Sequence, residues 1–308
     1  VIDKVTRRVQ DRKPNFSYFD SHFERDLEWI RPEKVGELAF YNECCALNRY
    51  GRKVRDIDRD FCERVYTVLC QMFSFPPQPC KPFDQVFCDL NFNSSTGMSV
   101  VDGMPKNKPK GSITTLEWLN VYSFAVNFCA GLAGVDREYV ASSLKDEPML
   151  TEKYQRGGQR TITSMPLWHL MASSHIIDNI CDRLLYGHVL SPFAPGAAFN
   201  NVYVSLVETC FSSYDSEFSG DISGQDSSYP RDLKHAVRDF FCSKIKDPKK
   251  VAPFVELNRL HDQALLVSAD GTVYDTTETG VWSGVKWTLA YNTLILCALL
   301  RMYGDVKG

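Results

Sequence analysis

A chain of 308 residues with 44% hydrophobic and 24% charged positions can bury a large core, as one large domain or two ordinary ones. Its formal net charge of -3 excludes a globally basic nucleic-acid binder and leaves any such surface to local patches. The 11 cysteines include no Cys-x-x-Cys pair. They read as reduced core thiols, Cys62, Cys70, Cys129 and Cys297 among them, and not as a zinc centre.

Along the chain, the first half reads mostly helical. From Asp56, a plausible N-cap, Ile57, Phe61, Val65, Leu69 and Met72 recur at helical spacing, and Pro76, Pro77, Pro79 and Pro82 end the run. A loop rich in Gly, Ser, Pro and Lys runs over 93–111. The apolar stretch 116–133 carries Asn120, Ser123 and Asn127 at helical spacing, so it reads as a buried helix and not a membrane span. Residues 144–165 are polar, charged and glycine-containing, and Pro166 opens a further helix through Leu184. After a Pro/Ala/Gly-rich loop (192–198), the segment 202–210 fits helix or strand equally. An amphipathic helix over 233–244, a hairpin around Asp270-Gly271 and a helix running to about Met302 complete the chain. The sequence opens on Val1 without Met and closes on Gly308 behind an apolar helix, so it reads as an excerpt from a longer polyprotein.

Three segments carry chemistry. In the first, Asp221 ends a strand-like run and Asp226 follows the Ser223-Gly224 turn. Two such carboxylates serve either as turn and cap residues or as oxygen ligands for a hard cation over a nucleotide. In the second, Ser283-Gly284 makes a flexible turn, and Thr288 and Asn292 share a face one helical turn apart. Internal hydrogen bonds at a helix N-terminus are the plainer reading of that pair. In the third, Lys145, Lys153, Arg156 and Arg160 are separated by Gly157 and Gly158, which suits an extended ribbon contacting phosphates. A solvated loop is the alternative, because Asp146, Glu147 and Glu152 largely balance the bases.

Taken in order, these segments resemble the RNA-dependent RNA polymerases of positive-strand RNA viruses. Asp221-x4-Asp226 is similar to polymerase motif A, and Ser283-Gly284-x3-Thr288-x3-Asn292 matches motif B. Lys145-Asp146-Glu147-Pro148 with Gly158-Gln159-Arg160-Thr161-Ile162 looks like motif F. Ser95-Thr96-Gly97, ahead of Lys106, Lys108 and Lys110, resembles motif G. The run 176–186 is similar to sobemovirus-like polymerases. Two departures stand out. Gly158 occupies the place of the family's frequent base two positions before Arg160, which Arg156 or Lys153 could replace. Motif C, a Gly-Asp-Asp, is missing: Tyr303-Gly304-Asp305-Val306 imitates it without the second Asp, and Gly304 reads as a helix C-cap.

The resemblance implies an α+β right-hand polymerase fragment with helix-rich fingers and an incomplete palm. It places fingers at 1–205, palm at 206–245, a fingers insertion at 246–279 and palm again at 280–308, before motif C and the thumb. It implies nucleotidyl transfer by a two-metal mechanism, with Mg²⁺ or Mn²⁺ on Asp221. Asp226, Ser283, Gly284, Thr288 and Asn292 would read the ribose, the group that separates RNA from DNA. Lys145, Lys153, Arg156 and Arg160 would hold the triphosphate. Ser95, Gly97, Lys106, Lys108 and Lys110 would meet the template. Implied partners are template and nascent RNA, NTPs and other viral replication proteins, in the host cytoplasm at replication complexes. The 308 residues alone are expected to be inactive. A non-catalytic interaction domain of a viral polyprotein and an unrelated metal-binding α+β cytosolic enzyme are the rival readings. A reverse transcriptase would carry a bulky aromatic near Asp226, so that Asp argues against it.

Overall fold

The computed structural model describes residues 29–34, 36–48, 57–186, 228–275 and 286–307. In chain order the elements begin with β1 (Trp29–Ile30), α1 (Glu37–Leu47), α2 (Arg59–Met72) and α3 (Phe83–Cys88). A 3-10 turn, Lys110–Ser112, leads into α4 (Thr115–Cys129), β2 (Tyr139–Leu144), β3 (Met149–Leu150), α5 (Thr151–Gln155) and β4 (Thr161–Ser164). There follow α6 (Leu167–Tyr186), α7 (Arg231–Lys244), α8 (Val251–Asp262), β5 (Leu265–Val267), β6 (Val273–Asp275) and α9 (Thr288–Lys307).

The chain divides into two compact units, 1–47 with 144–161, and 48–143 with 162–308. In the first unit β1 and β3 pair antiparallel, Trp29 opposite Leu150. Asn42 on α1 donates through Nδ2 to the Tyr154 carbonyl (2.9 Å) and accepts the Gln159 N–H on Oδ1 (2.8 Å), so a buried amide ties α1 to the glycine turn after α5.

The second unit is mainly helical. α2 packs on α7 and α9, and α4 on α6. Its core centres on Trp168, Trp287, Tyr291, Phe240, Phe241 and Phe254, each under 2% exposed. Trp287 lies at one end of α9 among His169, His261 and Phe254, with ring centroids 5.6–5.8 Å away. Removing one such ring costs about 3–5 kcal/mol. The sheet order is β4-β2-β5-β6; β2 and β5 run parallel, and β5 and β6 form the antiparallel hairpin that Asp270-Gly271 announced. Asp270 closes that turn by accepting from the Thr272 N–H (2.9 Å).

Four local expectations need correction. α2 is capped by Asp58, which accepts from the Asp60 N–H; Asp56 lies outside the described residues. α4 starts at a full Thr114/Glu117 capping box, but it is only half buried: Leu116 is 68% and Leu119 61% exposed. α9 continues through Gly304 to Lys307, so Gly304 is not a C-cap. α8, over 251–262, was not anticipated at all.

Candidate functional site

Ser95 and Gly97 sit on a short ladder whose other side is 107–110. Thr96 N–H donates to the Lys108 carbonyl (2.9 Å), Asn107 N–H to the Gly97 carbonyl (2.7 Å) and Lys110 N–H to the Ser94 carbonyl (3.0 Å). Ser95 Oγ donates to Asn107 Oδ1 (2.6 Å) and accepts the Gly97 N–H (3.0 Å). Gly97 has φ +64°, and a Cβ there would lie 2.3 Å from the Met165 carbonyl oxygen, so only glycine lets the loop rest against the start of α6. Of the three lysines, Lys110 is turned inward at 3% exposure. Its ammonium donates to Ser94 Oγ and to the Ser95 carbonyl (2.9 Å), and burial lowers its pKa. Lys108 pairs with Glu117 at 2.7 Å. Lys106 is exposed. The ladder thus spends Lys110 on shaping the loop and presents Lys106 to solvent.

In the first unit, Lys145 and Arg160 are joined by Lys145 N–H donating to the Arg160 carbonyl (2.8 Å) and share one carboxylate. Glu147 takes Arg160 as a fork, Nε to Oε1 and Nη2 to Oε2, both 2.6 Å, and Lys145 Nζ at 2.7 Å. The Arg160 hydrogen bond holds the Glu147 carboxyl down at about 2. Arg156 pairs with Glu152 (2.6 Å), and Asp146 is taken by Arg31 (2.6 Å) and Lys34 (3.3 Å). Lys153 is exposed. The acids do balance the bases, as the solvated-loop reading expected. Exposed pairs of this kind are worth about 0–1 kcal/mol, so they hold these side chains only weakly.

The missing base at 158 has a physical reason. Gly158 N–H donates to the Lys153 carbonyl (2.8 Å), and a Cβ at 158 would stand 2.6 Å from that same oxygen. The turn that aims Arg160 admits no side chain there.

Thr288 and Asn292 lie on the first turns of α9, Thr288 buried and Asn292 half-buried. Tyr229, just downstream of Asp226, donates from its hydroxyl to the Asn292 carbonyl at 3.4 Å. That contact ties the residues just before α7 to the helix that bears Thr288 and Asn292. Asp221, Asp226, Ser283 and Gly284 themselves lie outside the described residues. Among the described residues no group of three or more His, Cys, Asp or Glu could hold a metal ion.

The fold as a whole is similar to a solved one. A solved Sicinivirus 3Dpol RNA-dependent RNA polymerase matches 90% of this chain with a TM-score of 0.64 at 14% sequence identity. At that identity the likeness is one of fold. The chain spans 62% of that polymerase's length. No family model matches the sequence, and no curated protein is similar to it at a significant level.

Sequence reasoning missed one polar cluster that joins α6 to Lys286. Lys286 Nζ pairs with Asp178 Oδ1 (3.1 Å) on α6, and Asp178 Oδ2 takes Lys81 (3.3 Å), which also holds Asp89 (2.5 Å). Burial pulls the Lys81 pKa down, but the two carboxylates outweigh it and leave the pKa raised. Asp178 between the apolar Ile176-Ile177 and Ile180 was the available signal.

Proposed function

We propose that the chain carries the fingers and part of the palm of an RNA-directed RNA polymerase and contributes to nucleotidyl transfer in viral genome replication. The observation that carries this reading is the likeness of fold to a viral RNA polymerase over most of the chain, and the sequence order Ser95–Gly97, Lys145–Arg160, Asp221–Asp226 and Ser283–Asn292 supports it. In this reading an RNA 3′-hydroxyl gives up its proton and attacks the α-phosphate of an incoming NTP, the α–β phosphoanhydride bond breaks and pyrophosphate leaves. Arg160, Lys145, Lys153 and Arg156 neutralise the triphosphate by trading their carboxylate partners for phosphate oxygens. Asn292 and Thr288, with Asp226, Ser283 and Gly284, read the ribose 2′-hydroxyl. Ser95, Gly97 and Lys106 receive the template, with Lys108 beside them.

Asp221 would hold Mg²⁺ or Mn²⁺, which supplies charge neutralisation at the reacting phosphate. The sequence contains no Gly-Asp-Asp, so the 308 residues alone are expected not to extend RNA. Template and nascent RNA, NTPs and further replication proteins are the partners this reading calls for, at replication complexes in the host cytoplasm. No helix among the described residues is long and apolar enough to cross a membrane.

The deciding experiment is template-directed incorporation of labelled NTP by the enzyme that contains this chain. Asp221→Ala should abolish incorporation with the melting temperature preserved. Near-normal incorporation by that variant would overturn the reading.

A further inference from the structure

Glu138, immediately before β2, is fully buried, and no cation among the described residues pairs with it. Its carboxylate is filled by four donors. The N–H groups of Val100 (2.7 Å) and Tyr139 (2.9 Å) meet Oε1, while Ser99 Oγ (2.8 Å) and Trp168 Nε1 (2.9 Å) meet Oε2. Burial nonetheless raises its pKa. The residue is anchored at the sheet, because the Leu265 N–H donates to its carbonyl (2.8 Å). Arg259 braces the preceding turn through the Val135 and Asp136 carbonyls (3.2 and 2.9 Å).

A buried carboxylate without a counter-ion is costly, and an apolar side chain would fill the same space more cheaply. What only the carboxylate supplies is acceptors for Ser99 and Val100. These residues belong to the irregular segment directly behind Gly97, where no ladder partner is available to them. Lys110 and Asn107 hold one side of the Ser95–Gly97 loop, Met165 limits it from below, and Glu138 holds its exit.

We propose that Glu138 is a positioning residue for single-stranded RNA: by fixing Ser99 and Val100 it holds the Ser95–Gly97 loop in the geometry that receives the template backbone. This rests on the polymerase reading given above. A glutamine cannot replace it, because in either orientation the amide NH₂ faces a donor, Trp168 with Ser99 on one side or the Val100 and Tyr139 N–H groups on the other.

The test measures binding of a fluorescein-labelled single-stranded RNA and of a fluorescent NTP to the full chain, together with melting temperature. Glu138→Gln should weaken RNA binding about tenfold while leaving NTP affinity unchanged. Ser99→Ala should weaken RNA binding severalfold, and Ser99→Thr, which keeps the hydroxyl, should restore it. Leu69→Ala, a core cavity in α2, should lower the melting temperature without changing the ratio of the two affinities. Unchanged RNA affinity in Glu138→Gln, or equal loss of RNA and NTP binding, overturns the inference. If Glu138→Gln does not fold, unchanged RNA affinity in Ser99→Ala overturns it. A wild-type chain that binds no RNA overturns instead the polymerase reading beneath it.

Discussion

Glu147 and Arg160 meet as a two-point fork, both hydrogen bonds 2.6 Å long, in a stretch where Lys145 approaches the same carboxylate at 2.7 Å. The fork holds the guanidinium plane in one orientation, and its charge is already balanced before any nucleotide arrives. A lysine offers no such plane. Arg160→Lys should therefore weaken NTP binding about tenfold with little change in melting temperature. Titration with a fluorescent NTP reads this directly, and equal affinities in the two proteins would remove Arg160 from the triphosphate site.

The same pair makes a pH prediction. Arg160 first, then Lys145, hold Glu147 from its ordinary 4.5 down to about 2. A depressed carboxylate adds stability that is complete above 4.5 and is lost as pH falls toward 2. Because the pair is partly exposed, the loss should be local, with the ordering of 144–161 declining before the second unit melts. Hydrogen exchange of these amides across that pH range measures it, and a uniform response across the chain would refute it.

His169 has a sensitivity of the same direction with a different cause. Burial drives its pKa from 6.5 to about 3, with Leu257 and Ser173 as hydrogen-bond partners of its ring and Trp168 and Trp287 beside it. Below 6.5 the unfolded chain takes up a proton that the folded chain refuses until about 3, so stability should fall steadily across that window. His261, lowered by the same burial, adds to the slope. Urea unfolding at a series of pH values should show a shallower slope for His169→Gln. Identical slopes would exclude His169 as the source.

Gly158 offers a counter-intuitive test. Placing a base there, as Gly158→Lys, should harm the protein. The new Cβ would press on the Lys153 carbonyl at 2.6 Å, at a cost of about 1–3 kcal/mol. We expect a lower melting temperature and weaker NTP binding. A gain in NTP affinity at unchanged stability would contradict the geometry.

Asn292→Ala should erode the preference for NTP over dNTP in the complete enzyme, by about tenfold, while incorporation of dNTP persists. Competition between labelled NTP and dNTP gives the ratio. Unaltered discrimination would take Asn292 out of the ribose-reading role.

The elements legible in the sequence were those whose periodicity is local. α2, α6, α7, the hairpin at Asp270-Gly271 and α9 all follow from spacing and punctuation. α8 was hidden because Pro253 stands in its first turn, where a proline is tolerated yet reads as a break. β2 was hidden for a different reason. Its partner β5 lies on the far side of four helices among the described residues and pairs in parallel, and no local pattern encodes that register. At the site, the residue types were readable but their partners were not. Nothing near Lys110 announces that its ammonium turns in toward Ser94 and Ser95, since the turn exists only once Ser94–Gly97 meets 107–110. The capping residue of α2 slipped from Asp56 to Asp58 because two aspartates offered equivalent side chains, and only the backbone chose.

Helix α6 touches two loops of different purpose. Just before its start, the Met165 carbonyl leaves room only for a hydrogen at Gly97; further along, Asp178 grips Lys286. From Leu167, where α6 begins, Asp178 stands roughly 17 Å along the axis at 1.5 Å per residue. A straight helix resists stretching far more than a loop does, so α6 acts as a ruler between them. Any tilt of the helix carries both ends at once, and a displacement felt at the Ser95–Gly97 loop is transmitted to the segment at Lys286 as motion of one rigid rod.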